Sequence, residues 1–188
     1  MALVSTLPLS TESLFSAPDF SLKNIDGQTY SLTQLHGTNG LVVGFICNHC
    51  PYVKAIIHNL VADFGKLQQH GFGVVAIMPN DTLQYPEDSF EKMAVFAQQH
   101  HFTFPYLIDS DQSVAKAYGA VCTPEFYGFD KKLNLQYKGR LDASSPSLPL
   151  ALGEGKRELL DAMLLINDNG VAPSQQLPSM GCSIKWQK

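Results

Sequence analysis

The stretch Phe45-Ile46-Cys47-Asn48-His49-Cys50-Pro51-Tyr52-Val53 sets two thiols, separated by two residues, between an apolar run and a helix-like pattern. The run at 41–46 has the length and the β-branched and aromatic content of a buried strand. Pro51 suits the first turn of a helix, where its missing N–H removes no bond. The cysteines therefore fall where a strand turns into a helix. The unpaired N–H groups of a first helical turn and the helix dipole favour an anion there, and a cysteine thiolate supplies one.

Outward from this junction, Val53, Ile56, Ile57, Leu60, Val61, Phe64 and Leu67 form a helical stripe that Gly71 ends. Residues 74–78 are a second continuous apolar strand. A strand-helix-strand unit of this length predicts a parallel pair with a right-handed crossover, so the core is α/β. Upstream, Phe20 and Leu22, a turn at Asp26-Gly27, then Tyr30 and Leu32 predict a β-hairpin, while residues 1–16 carry little pattern. Downstream, Asp88 with Glu91 three residues on has the form of a helix start, and Phe90, Met93, Ala94 and Ala97 give its buried face. A short strand at 105–108 and a short helix at 112–118, closed by Gly119, follow. Strands at 125–129 and 133–137 flank Asp130-Lys131-Lys132 as an antiparallel hairpin. The last helix spans 156–166 and stops at Asn169-Gly170. Residues 144–153 read as a surface loop. The tail, 171–188, holds Cys182 and the only tryptophan, an apolar cargo that predicts docking of Trp186 on the domain. One domain is expected over 1–188, with its core at about 17–168.

The chain has 188 residues, 45% hydrophobic and 16% charged, which excludes a largely disordered protein. A net charge of −4 without a basic stripe gives no reason to expect nucleic acid or a membrane surface as partner. The first ten residues lack a positive n-region and an unbroken apolar core, and no run reaches transmembrane length, so the expected location is cytoplasmic. Four cysteines are too few for a disulfide-built fold of this size, and a CxxC in such an α/β protein reads first as a redox pair.

The order of elements, with CxxC after the first strand of the unit, resembles the thioredoxin fold: a central mixed sheet flanked by helices, here with an N-terminal β-hairpin extension. Ala17-Pro18-Asp19-Phe20, Asp26-Gly27, Phe104-Pro105 with Asp109, and Val121-Cys122-Thr123-Pro124 are similar to the redoxin branch that groups alkyl hydroperoxide reductases with peroxiredoxins (AhpC/TSA). The CNHC motif and the terminal Gly181-Cys182-Ser183-Ile184-Lys185-Trp186 resemble a bacterial peroxiredoxin-like subgroup of it. The resemblance implies Cys47 as attacking thiol, Cys50 as resolving thiol, and Thr123-Pro124 as a substrate-binding loop with a cis-proline. It implies no cofactor. Its partners would be a disulfide-containing protein, a small thiol or a peroxide, and a recycling reductant.

Cys47 is expected to be the more exposed and more acidic thiol, and His49 offers a cation beside it. No carboxylate lies in 41–46, so proton transfer falls to water or His49. Zinc is not expected, because no second CxxC or HxxxH completes four ligands. Cys122 reads as a core thiol. Cys182 reads as incidental, with a second resolving thiol as the alternative. Arg140 either pairs with Asp142 or orients a peroxide. Thiol-disulfide exchange leads these readings. Peroxide reduction is the alternative, weakened because Gly40 and Gly44 occupy the positions of the proline and hydroxyl of the peroxiredoxin pattern. Copper delivery ranks third.

Overall fold

Along the chain run β1 (Leu3–Ser5), β2 (Ser21–Asn24), β3 (Thr29–Ser31), α1 (Leu32–Leu35), β4 (Gly40–Phe45), α2 (Pro51–Gln69), β5 (Phe72–Met78), α3 (Phe90–Gln99), β6 (Tyr106–Ile108) and α4 (Ser113–Tyr118). They are followed by β7 (Cys122–Thr123), β8 (Glu125–Phe129), β9 (Leu135–Gly139), α5 (Glu158–Asn169) and β10 (Met180–Ser183). These elements come from a computed structural model that describes residues 2–6 and 15–188. The two continuous apolar runs, β4 and β5, lie parallel with Val42 opposite Val74 and Phe45 opposite Ile77, and α2 makes the crossover. The main sheet has the order β3-β2-β6-β5-β4-β8-β9. Its β4, β5 and β6 are parallel, and β8, β9 and the β2–β3 hairpin pair antiparallel. This is the mixed sheet flanked by helices that the pattern predicts.

Continuous apolar strands are needed because both faces of the sheet are covered. Alternate side chains serve opposite cores. Val42, Val74, Ala76 and Met78 meet Leu60 and Phe64 of α2, Met93 of α3 and Leu159 of α5 on one face. Leu41, Val43, Phe45, Val75 and Ile77 meet Val114 and Tyr118 of α4 on the other. The stripe on α2 is thus fully used, and the Pro51 end of this helix is fixed against the sheet.

Several boundaries differ from the sequence expectation. Ser89, not Asp88, caps α3: its side chain accepts from the Lys92 N–H, which leaves the buried Asp88 carboxylate for other partners. The last helix runs three residues further, to Asn169, before Gly170 turns left-handed at φ +68°. The patternless N-terminus contributes β1, which pairs antiparallel with β10 (Leu3 opposite Cys182), and β10 in turn pairs with β7 (Cys182 opposite Thr123). The remainder of the first ten residues, 1 and 7–10, lies outside the described residues. The tail docks, but not through Trp186, which stays 39% exposed with the Lys116 ammonium over its ring; Cys182 and Ile184 are the buried anchors. No helix among the described residues is long and apolar enough to cross a membrane.

Candidate active site

Cys47 lies just past the end of β4, and Cys50 is the N-cap of α2, with Pro51 as the first helical residue. Thr123 bridges the pair from β7. Its Oγ1 is 3.3 Å from Cys47 Sγ and its carbonyl oxygen 3.2 Å from Cys50 Sγ. The Thr123-Pro124 peptide is cis. Both cysteines have 0% exposure, so Cys47 is not the exposed one of the two.

The acidity order is also the reverse of the expectation. The Cys47 S–H beside Cys50 draws the Cys50 thiol down to about 5, against the opposing effect of burial, and the Cys182 sulfur adds to the pull. Burial pushes the Cys47 thiol well up, and its contact with Cys50 adds to this. The physical reason is placement. Cys50, at the N-cap, is the residue on the helix end, whereas Cys47 sits three residues earlier, fully buried and within reach of the Asp88 charge. Of the two thiols, Cys50 is therefore the more acidic.

The pocket contains an acid that the strand itself lacks. Asp88, with 0% exposure, accepts from the Asn48 N–H at 2.8 Å and the Asn80 side-chain amide at 2.8 Å. Its Oδ2 is also 2.8 Å from His49 Nδ1. This contact is the main reason that the His49 pKa is raised, with burial opposing. The ring also stacks on Tyr85 at 5.8 Å. The Tyr106 hydroxyl donates to Asn48 Oδ1 at 3.0 Å, fixing the residue between Cys47 and His49. A buried acid outside the motif was hidden in the sequence because Asp88 also fits a helix start. The ligand atoms of Cys47, His49 and Asp88 lie within 4.8 Å of one another, so among the described residues these three could hold a metal ion. Each is already engaged in the hydrogen bonds just described.

Cys182 is the second feature that sequence reasoning undervalued. Its Sγ is 2.9 Å from Cys50 Sγ, which places it at the site and corrects the incidental reading. Its only signal was a cysteine in an apolar tail. Burial pushes its thiol up to about 12. Cys122, the neighbour of Thr123 on β7, is buried with its Sγ 3.9 Å from Glu125 Oε2, and burial pushes it upward too. Arg140 is at neither expected place: it donates to Glu158 at 2.8 Å, while Asp142 accepts from Asn59. Arg157 is bound to Asp63. The chain has only these two arginines, and each is bound to a carboxylate.

Residues 15–138 fit the AhpC/TSA family model. The chain belongs to the AhpC/TSA family. The crystal structure of an uncharacterized conserved protein from Geobacillus kaustophilus superposes with a TM-score of 0.90 at 40% identity, covering 100% of this chain and 97% of that one. A Mycobacterium tuberculosis protein with a provisional peroxiredoxin name is 30% identical over 112 residues, 60% of this chain and 66% of that protein. The thiol-disulfide oxidoreductase ResA of Halalkalibacterium halodurans is 25% identical over 103 residues, 55% of this chain and 54% of ResA. The match therefore spans just over half the length of ResA. Among these AhpC/TSA relatives both redox chemistries are named.

Proposed function

We propose that this chain is a thiol-disulfide oxidoreductase whose working pair is Cys47 and Cys50. The observation that carries the reading is the convergence of two buried sulfurs on Thr123 at the N-terminus of α2. Loss of the Cys47 proton turns Cys47 into the nucleophile. Cys47 attacks a substrate disulfide, the mixed disulfide forms, and Cys50 then attacks Cys47 and releases the substrate as a thiol. Thr123 and Pro124 line the approach to the sulfurs. A protein or small-molecule disulfide is the substrate class, a dithiol reductant recycles the enzyme, and the reducing cytoplasm is the compartment we propose.

Peroxide reduction has two supports, the name of the M. tuberculosis relative and the Thr123 hydroxyl 3.3 Å from Cys47. Against it stands the commitment of both arginines to carboxylates, since a peroxidatic site must polarise the O–O bond as well as supply a thiolate. We expect Cys50→Ser to accumulate a mixed disulfide with a protein disulfide substrate, visible by mass spectrometry. The reduced parent should react with hydrogen peroxide no faster than an ordinary free thiol in stopped flow. A fast peroxide reaction abolished by Cys47→Ser would make the protein a peroxidase.

A further inference from the structure

Three sulfurs, not two, meet at the end of α2. Cys50 Sγ touches Cys182 Sγ at 2.9 Å, although the two residues are 132 positions apart in the chain. The approach is built by several independent contacts. β10 is paired on one side with β7, where Cys182 stands opposite Thr123, and on the other with β1. Beyond Cys182, the Lys185 N–H donates to Asn80 Oδ1 at 2.9 Å, and the Lys185 carbonyl accepts from Gln112 Nε2 at 2.8 Å. Asn80 is the same residue that donates to Asp88 in the thiol pocket, so one side chain ties tail and pocket together. Gly181 makes the close seat feasible: a Cβ at this position would run into the Thr123 carbonyl. That carbonyl is the group in contact with Cys50.

We infer that Cys182 is a third redox thiol, which exchanges with the Cys47–Cys50 disulfide and carries the oxidised bond to Cys50–Cys182. The inference rests on the dithiol reading of Cys47 and Cys50. In the exchange, the Cys182 sulfur attacks Cys50 Sγ. The Cys50–Cys182 bond forms and the Cys47–Cys50 bond breaks. The electron pair of the broken bond leaves with Cys47, which takes up the proton that Cys182 gives away, so the step involves no net oxidation. The disulfide then lies between α2 and β10, nearer the surface. As a residue Cys182 is 4% exposed against 0% for Cys47 and Cys50, and Met180 on the same strand is 49% exposed. A thiolate of the dithiol reductant attacks Cys182 Sγ and expels Cys50 as thiolate, and the second reductant thiol closes its own disulfide as Cys182 is released. Cys50 suits this role because a thiol of low pKa is the better leaving group.

Disulfide mapping tests this on the full chain. The reduced protein is treated with one equivalent of diamide, quenched in acid, unfolded, alkylated and digested with trypsin. Cys47 and Cys50 share the peptide 24–54, and Cys182 lies in 158–185. The expected product in the parent includes a link between these two peptides, with one alkylated cysteine in 24–54. In Cys47→Ser that link becomes the only disulfide, and in Cys50→Ser it is lost. A parent that holds only the bond within 24–54 overturns the inference and leaves the dithiol reading standing. A parent that forms no disulfide among the three sulfurs overturns both.

Discussion

At the residue scale, the environment of each sulfur follows from what its neighbours donate. His49 does not act on Cys47 as a bare cation, because the Asp88 carboxylate at 2.8 Å holds it, and the Asp88 charge itself contributes to the upward shift of Cys47. His49→Ala leaves Asp88 without this counter-ion, so the Cys47 thiol rises further and the disulfide becomes less oxidising. Each tenfold change in the exchange constant against glutathione corresponds to about 30 mV, and a redox titration reads it. The His49 pKa is raised in the folded chain above its ordinary 6.5, so its contribution to stability is fully present below 6.5 and is lost as pH rises through the folded value. Asp88→Asn should remove that pH dependence and bring the His49 midpoint down, which an NMR titration of the ring protons measures. The placement of Cys47, Cys50 and His49 together at a helix end was legible in the motif. Asp88 was not, since hydrogen bonds to residues 48, 49 and 80 are made only when three separate segments meet.

At the element scale, β10 occupies the pairing edge of β7 and brings Cys182 against Cys50, which leads us to expect that it covers the site. Gly181→Ala places a methyl group against the Thr123 carbonyl and pushes the strand outward. We expect a loss of about 1–3 kcal/mol, the usual cost of overpacking, measured by urea denaturation. Alkylation of Cys50 in the native reduced protein should become faster in the same variant. A loss of stability without faster alkylation would show that β10 is not the cover. The hairpin, the β4–α2–β5 unit and the helix terminations followed from periodicity. β1 and β10 did not, because strands of three and four residues carry too few positions for an alternation to register, and their pairing partners lie at opposite ends of the chain.

At the scale of the whole molecule, α2 and the start of α5 are joined by a buried ion pair. Arg157 binds Asp63 through two guanidinium nitrogens and donates to the Asn59 carbonyl at 3.1 Å. Burial pushes the Asp63 carboxyl up to about 6, with Arg157 opposing. Arg157→Met leaves that carboxylate uncompensated and should cost about 3–5 kcal/mol at neutral pH. Because the folded pKa of Asp63 is raised, the penalty applies to the ionised form. Without Arg157 to oppose burial the Asp63 pKa rises above the parent's value of about 6, so stability of the variant should recover as pH falls through that higher value, where the buried group takes up a proton. Urea denaturation at a series of pH values checks both statements. A variant with the same deficit at every pH would place the cost in packing rather than charge.

The sequence by itself determined the α/β class, the parallel unit around the CxxC and the place of its two thiols at a strand-to-helix junction, because these depend on local periodicity and on a spacing of four consecutive residues. Only the tertiary structure decided which thiol is acidic, where Arg140 points and that Cys182 belongs to the site. Each of these depends on a contact between groups distant in sequence. The acidity of Cys50 is set by its contacts with residues 47 and 182, the Arg140 guanidinium by a carboxylate on α5, and the position of Cys182 by a seat against Thr123 that a glycine leaves open. Burial, charge and distance act through space, and chain order does not carry them.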